Sequence, residues 1–323
     1  MPVSQIRSII QDIKTNQKNK NMRIVTFKDI TWIDFSEPNK DDLIYLGENF
    51  NIHPLALEEF TTPTIRPKAT KYNNCIFLTV HIPLFDVVNR TTYPGELDIV
   101  VTKTHLITGH KHEIFQLADL FDSLQKSEGK RRRYMSESPA HLLYHVLEIL
   151  MESCFPKLEH MSKNLDNIEE SVFSGKEKDM VFEISVIKRD VLNFRRTLKP
   201  QRSILESLTQ MRSSLVPKEI IPYYQDLIGT NIRLWNTLES IKETTESLEK
   251  TNNSLLSNKL NSTMKVLTIF SAVMLPMTVY SNILAMSADI PFGTHPFGFW
   301  IHMGIMLVIS MFTIIMFKTR NWI

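Results

Sequence analysis

Two uncharged apolar stretches constrain this chain more than any other feature. Val266–Leu284 (VLTIFSAVMLPMTVYSNIL) contains no charged residue, and Phe297–Phe317 (FGFWIHMGIMLVISMFTIIMF) contains only the titratable His302. Each comes close to the roughly 20 residues that an α-helix needs to cross about 30 Å of hydrocarbon. Between Lys265 and Lys318 there is no Lys or Arg, and Asp289 is the sole formal charge. The pattern predicts a membrane hairpin: a first transmembrane helix over 265–284, a loop over 285–296, a second helix over 297–317 and a basic tail over 318–323.

The remainder reads as water-soluble. The 323 residues carry a net charge of +2, and the mean hydropathy is −0.12, so the hairpin is a minority appended to a larger aqueous part. Residues 1–21 are polar and basic with no apolar h-region, which predicts a flexible terminus and no secretory signal. Lys259 and Lys265 precede the first span, Lys318 and Arg320 follow the second, and the loop has no basic residue. Positive charge favours the cytoplasmic side, so both termini are expected there and the loop outside, in a multi-pass protein of the cytoplasmic (inner) membrane. Trp300 and Trp322 are placed as interfacial anchors. Cys75 and Cys154 then lie in a reducing compartment, which argues against a disulfide, and neither has metal-ligand spacing to a partner.

The predicted fold class is an α+β membrane protein: an N-terminal cytoplasmic α/β domain over 22–138, a helical hairpin and long stalk over 139–264, then the two transmembrane helices. MRIVTF, TWIDF, CIFLTVHIPLF, ELDIVVT and HLITGH are rich in β-branched and aromatic residues and read as strands. LIYLGENF and PLALEEF read as short helices, and Thr61–Pro67 (TTPTIRP) as a connector. Pro139–Ser174 and Lys176–Met211 read as antiparallel helices joined at Gly175. The stalk carries Leu234, Leu238, Ile241, Thr245, Leu248, Asn252 and Leu255 at alternating spacings of four and three, a heptad seam. A stalk of roughly 90 Å that continues as a transmembrane helix predicts self-association around a central axis.

An anchor tolerates any apolar filling, so polar residues inside the first span discriminate. Met264, Ser271, Leu275, Thr278 and Asn282 recur on one helical face, which extends down to Asn261 and up to Ala285. Hydroxyls and an amide are costly against lipid unless they meet protein or water, so the stripe fits either helix packing or a pore.

Asn261–Leu267 (NSTMKVL), Leu275–Pro276–Met277–Thr278, the short loop and the closing FKTRNWI resemble the CorA family of divalent-cation channels. The run TWIDF…HPLALEEF…RPKATKYNNCIFLTV…ITGHKHE is similar to the same family's cytoplasmic domain, so the likeness covers the chain from about residue 22. The resemblance implies a homopentamer in membrane lipid whose first membrane helices line the pore. It makes Asn261 a polar ring at the inner end, Met264 and Leu267 a hydrophobic constriction able to gate by dewetting, and Thr278 a hydroxyl ring farther out. It implies passive transport of a divalent cation, Mg²⁺ by default with Co²⁺, Ni²⁺ or Zn²⁺ as alternatives, and no cofactor, nucleic acid or further small-molecule substrate.

Two departures matter. The family's Gly-Met-Asn signature aligns here with Ala285, Met286 and Ser287. The Ser hydroxyl is shorter than a carboxamide and offers other donors and acceptors, a poorer fit to hydrated Mg²⁺, which gives up its waters reluctantly. Asn282, one turn inward, is therefore expected to carry the displaced selectivity ring, with Asp289 concentrating cations at the mouth. On the stalk, a position where the family has an acidic metal sensor holds Lys250, so that feedback site is expected to be altered or absent. These departures leave a non-conducting membrane sensor or scaffold as the alternative.

Other groups read as structural. His105, His110 and His112 crowd one strand end without a ligand set, and Lys130–Arg133 (KRRR) reads as a solvated loop before the next helix. His302 reads as interfacial packing near Trp300. No P-loop, nucleophile elbow or catalytic carboxylate pair is present, so no enzyme is expected.

Overall fold

The computed structural model describes residues 21–320 apart from 51, 61, 65 and 287–295. Most of the segment expected to be flexible, together with Ser287, Asp289 and Trp322, lies outside the described residues. The chain divides into two compact units, Met1–Ser174 with Asp179–Leu248, and Gly175–Lys178 with Glu249–Ile323.

The first unit is built on a six-stranded sheet: β1 (Met22–Phe27), β2 (Ile30–Ser36), β3 (Lys68–Lys71), β4 (Ile76–Asp86), β5 (Thr91–Val101) and β6 (His105–His110). The spatial order is β1-β2-β6-β5-β4-β3. The β2–β6 pairing is parallel and the other four are antiparallel. Alternation along β2 sends successive side chains to opposite faces. Ile33 and Phe35 join Phe77, Val100 and Ile107 beneath α1 (Lys40–Phe50) and α2 (Pro54–Glu59), which contribute Leu46 and Ala56 to one core cluster. Trp32 faces the other way, its ring 4.9 Å from Phe121 of α3 (Phe115–Lys126) in an edge-on contact. Both faces are thus covered by helices.

Local chemistry starts these helices. Asn39 Oδ1 accepts the amides of Asp41 and Asp42 at 2.8 and 3.1 Å, and Asp42 accepts the Asn39 amide in return at 2.9 Å, a capping box. His53 Nδ1 accepts the Leu55 amide at 3.2 Å, with Pro54 at the first helical position.

Gly109 of β6 is a packing requirement. A Cβ there would lie 2.5 Å from two ring carbons of Phe60, which is buried. Gly109→Ala is expected to destabilise the fold by about 1–3 kcal/mol, the usual cost of overpacking. Thermal unfolding of the single variant and of Gly109→Ala with Phe60→Leu checks this: the second change should recover most of the loss.

Beyond β3, the outer edge of β4 is closed by side chains. The His81 carbonyl accepts from Gln201 Nε2 and the Pro83 carbonyl from Lys157 Nζ, each at 2.6 Å. Pro83 pairs with Pro94 of β5, two residues that cannot donate to a ladder and so suit positions whose amide would face outward.

Helices follow: α4 (Glu128–Tyr134), α5 (Pro139–Glu152), α6 (Cys154–Phe173), α7 (Glu177–Leu198), α8 (Gln201–Gln210), a short 3₁₀ turn at Lys218–Ile220, and α9 (Ile221–Ala285). The two expected hairpin helices are therefore each divided. Pro156 and Pro200 supply the reason: neither can donate to the preceding turn, so α6 and α8 begin anew. Gly175 takes φ +91°, the left-handed backbone that ends α6 cheaply.

The heptad seam is buried, but not by another copy. Leu234 and Leu238 are fully buried, and Ile241, Thr245 and Leu248 nearly so, inside the first unit. Arg195 of α7 reaches α9, bonding Glu239 at 2.7 Å and lying 4.9 Å over Trp235. Tyr224 donates to the Ala140 carbonyl of α5 at 3.0 Å. The Thr245 hydroxyl donates to its own helix at Ile241. The chain's own helices therefore occupy this part of the seam, which is an intrachain packing face.

Candidate functional site

The second unit holds the helices of the hairpin. Among the described residues two helices are long and apolar enough to cross a membrane, the outer part of α9 and α10 (Gly298–Thr319). α9 continues to Ala285 with Pro276 inside it. Near its entry to this unit, Asn252 donates to the Glu177 carbonyl at 3.1 Å and Lys259 pairs with the Glu177 carboxylate at 3.0 Å.

Along the span, α9 has two distinct faces. Ile269, Ala272, Val273, Pro276, Met277, Tyr280 and Leu284 are half-buried, and Tyr280 reaches His302 of α10 at 2.7 Å. Asn261, Met264, Leu267, Ser271, Leu275, Thr278, Asn282 and Ala285 are all exposed. At about 100° per residue the two sets point in roughly opposite directions. The structure therefore brings the sequence-predicted stripe onto one face, turned away from the partner helix. Met264, Leu267 and Leu275 are 52%, 57% and 66% exposed in the single chain. Met286 is also exposed, just past the helix end, where its amide meets the Asn282 carbonyl at 3.2 Å.

The hydroxyls of the stripe have a definite polarity. Ser271 donates to the Leu267 carbonyl and Thr278 to the Met274 carbonyl, each at 2.9 Å. Their protons are spent inside the helix, so each oxygen turns lone pairs outward. A hydrophobic step at Met264 and Leu267 thus lies below two acceptor levels and one amide.

Clusters elsewhere have local explanations. His110 Nδ1 meets the His112 carbonyl, and His105 Nδ1 the Thr104 hydroxyl, both at 2.8 Å. Burial pushes the His105 imidazole down to about 4, so it is neutral at physiological pH. Among the described residues no group of three or more His, Cys, Asp or Glu is arranged to hold a metal ion. Arg131 of the basic run caps α3, donating to the carbonyls of Leu124 and Gln125 at 2.7 and 2.9 Å. Lys250 is exposed on α9. The Tyr280–His302 contact was missed in sequence, because one Tyr and one His on separate helices carry no spacing signal.

Comparison with known proteins bears on the whole chain. The model of a family described as "CorA-like Mg2+ transporter protein" matches residues 27–319. A relative from Thermotoga maritima, "Cobalt/magnesium transport protein CorA", is 28% identical over 91% of this chain and 83% of its own length. A protein of the same name from Methanocaldococcus jannaschii is 24% identical over 93% of this chain and 94% of its own. The solved CorA magnesium transporter from Methanocaldococcus jannaschii superposes with a TM-score of 0.78 at 23% identity, over 93% of this chain and 94% of the other, which establishes a shared fold. With an α/β unit, a long helix and two apolar helices in that order, and a family match over residues 27–319, the chain belongs to the CorA-like Mg²⁺ transporter family.

Proposed function

We propose that this chain carries divalent cations passively across a membrane, through a pore walled by the exposed stripe of α9 in a ring of copies. The single observation behind this reading is the direction of the stripe. Within the span, Ser271, Thr278 and Asn282 lie opposite the face packed on α10, and Asn261 continues their line below it. Polar groups at that depth are expensive against lipid, so they need water or further protein in front of them. A ring of copies around an aqueous path supplies both.

Five copies follow from the family resemblance, as does an inner gate at Met264 and Leu267. Mg²⁺ is the primary cargo and Co²⁺ the next, in keeping with the names of the relatives. Asn282 forms the selectivity ring, while Ala285, Met286, Ser287 and Asp289 form the mouth. Lys318 and Arg320 face the cytoplasm, with both termini. The domain limits 22–138 and 139–264 describe the aqueous part. A second reading, a non-conducting sensor, is favoured by Ala285–Met286–Ser287 standing where the family has Gly-Met-Asn.

Flux into proteoliposomes separates the two. A Mg²⁺-sensitive dye inside vesicles of purified protein should respond at least about tenfold faster than in empty vesicles and stop when the gradient is abolished, as passive conduction requires. No flux of Mg²⁺, Co²⁺, Ni²⁺ or Zn²⁺ at any internal Mg²⁺ level would leave the sensor reading standing.

A further inference from the structure

Tyr280 and His302 meet inside the membrane-spanning segments. The tyrosine hydroxyl lies 2.7 Å from His302 Nδ1, and the ring centroids are 6.0 Å apart. Elsewhere on α10, Ser310 and Thr313 turn their hydroxyls back onto their own helix, donating to Met306 and Ile309 at 2.8 and 2.9 Å. Apolar packing in lipid lacks a hydrophobic drive and leaves rotation about the helix axis weakly specified. A directional bond between two helices specifies it.

Tyr280 stands two residues before Asn282, on the half-buried face, while Asn282 is on the exposed one. A helix with side chains has a radius of about 5–6 Å, so a rotation of about 10° moves an outer side chain by about 1 Å. Binding groups must hold their geometry to within about 0.5 Å. We infer that the Tyr280–His302 hydrogen bond is a clasp that fixes the rotation of the pore helix and thereby positions the Asn282 ring for a hydrated divalent cation. Tyr280 and His302 are positioning residues, and neither lies on the stripe. The inference rests on the channel reading for what the ring does, but the position of the ring can be measured without flux.

Oxidative cross-linking between copies carrying Asn282→Cys measures that position, because Cys75 and Cys154 are buried. Adding Tyr280→Phe or His302→Leu should slow dimer formation at least about fivefold, and both together should slow it no further, as expected for two halves of one bond. His302→Asn, whose Oδ1 takes the place of Nδ1, should restore the rate to within about twofold. With Asn282 intact, the same variants should raise half-saturating external Mg²⁺ severalfold while maximal flux holds. Unchanged cross-linking in both single variants, or no recovery in His302→Asn, overturns the clasp. Cross-linking that depends on Tyr280 in vesicles that conduct nothing would uphold the clasp and sink the channel.

Discussion

Asn282→Ala is expected to raise the half-saturating Mg²⁺ concentration at least about tenfold in proteoliposome flux and to weaken discrimination against Na⁺. The amide is exposed on the stripe, so its loss removes the proposed contact with the cargo and leaves helix packing intact. A hydrogen bond to a charged partner contributes about 1.5–3 kcal/mol, and about 1.4 kcal/mol is a factor of ten in affinity. One lost contact to the ion's bound water already meets that threshold, and a ring loses one per copy. Asn282→Gln keeps the amide but displaces it by a methylene, so it should fall between alanine and the parent. Unchanged uptake and selectivity in Asn282→Ala would remove this residue from the site and return the question to the mouth.

Asp98→Asn should stabilise the protein in mildly alkaline buffer. The side chain is buried, and its carboxyl oxygen accepts the Thr79 hydroxyl at 2.6 Å. Burial pushes its pKa from 3.8 to about 8; the Thr79 bond opposes this, and the Glu96 charge adds to it. Between those two values the folded protein holds a proton that the unfolded chain releases, so stability falls as pH rises from about 4 to about 8. By pH 8 the loss is roughly 3–5 kcal/mol. Asparagine never ionises, so the variant's melting temperature should change little across that window and exceed the parent's most at pH 8, in unfolding of the full chain followed by circular dichroism. A slope identical to the parent's would show that Asp98 is ionised when folded. Asp34, on the opposite face of the same sheet, has the opposite sign. Burial raises its carboxyl, but His110, the Thr108 hydroxyl and Arg23 together outweigh burial and hold it low. Its contribution is kept above the ordinary carboxylate range and lost as pH falls through its folded value.

Strands with alternating or continuous apolar runs were legible in the sequence because each buries a face. β3 was not: Lys68–Lys71 is polar, lies at the sheet edge, and owes its place to the backbone pairing of Lys68–Lys71 with Ile76–Thr79. The start of β5 was missed for a related reason, since Thr91–Gly95 contains Pro94 and Gly95, residues that argue against a strand interior. The stalk shows a different limit. Periodicity at Leu234, Leu238 and Ile241 says that a face is buried and is silent about what buries it. That the stripe shares one exposed face of α9 was readable from its helical spacing, since polar residues stand out in an otherwise apolar run. The Tyr280–His302 bond depends on two helices meeting, which no local pattern encodes.

The back-bonded hydroxyls of Ser271 and Thr278 have a bearing on charge sign. With their protons committed to the Leu267 and Met274 carbonyls, these levels can accept but cannot donate. In the proposed pore, an anion passing them would find only lone pairs, whereas a cation or its bound water would find partners. The span between Val266 and Leu284 has no acidic side chain, so in the proposed pore the direction of two ordinary hydroxyls is what would disfavour chloride.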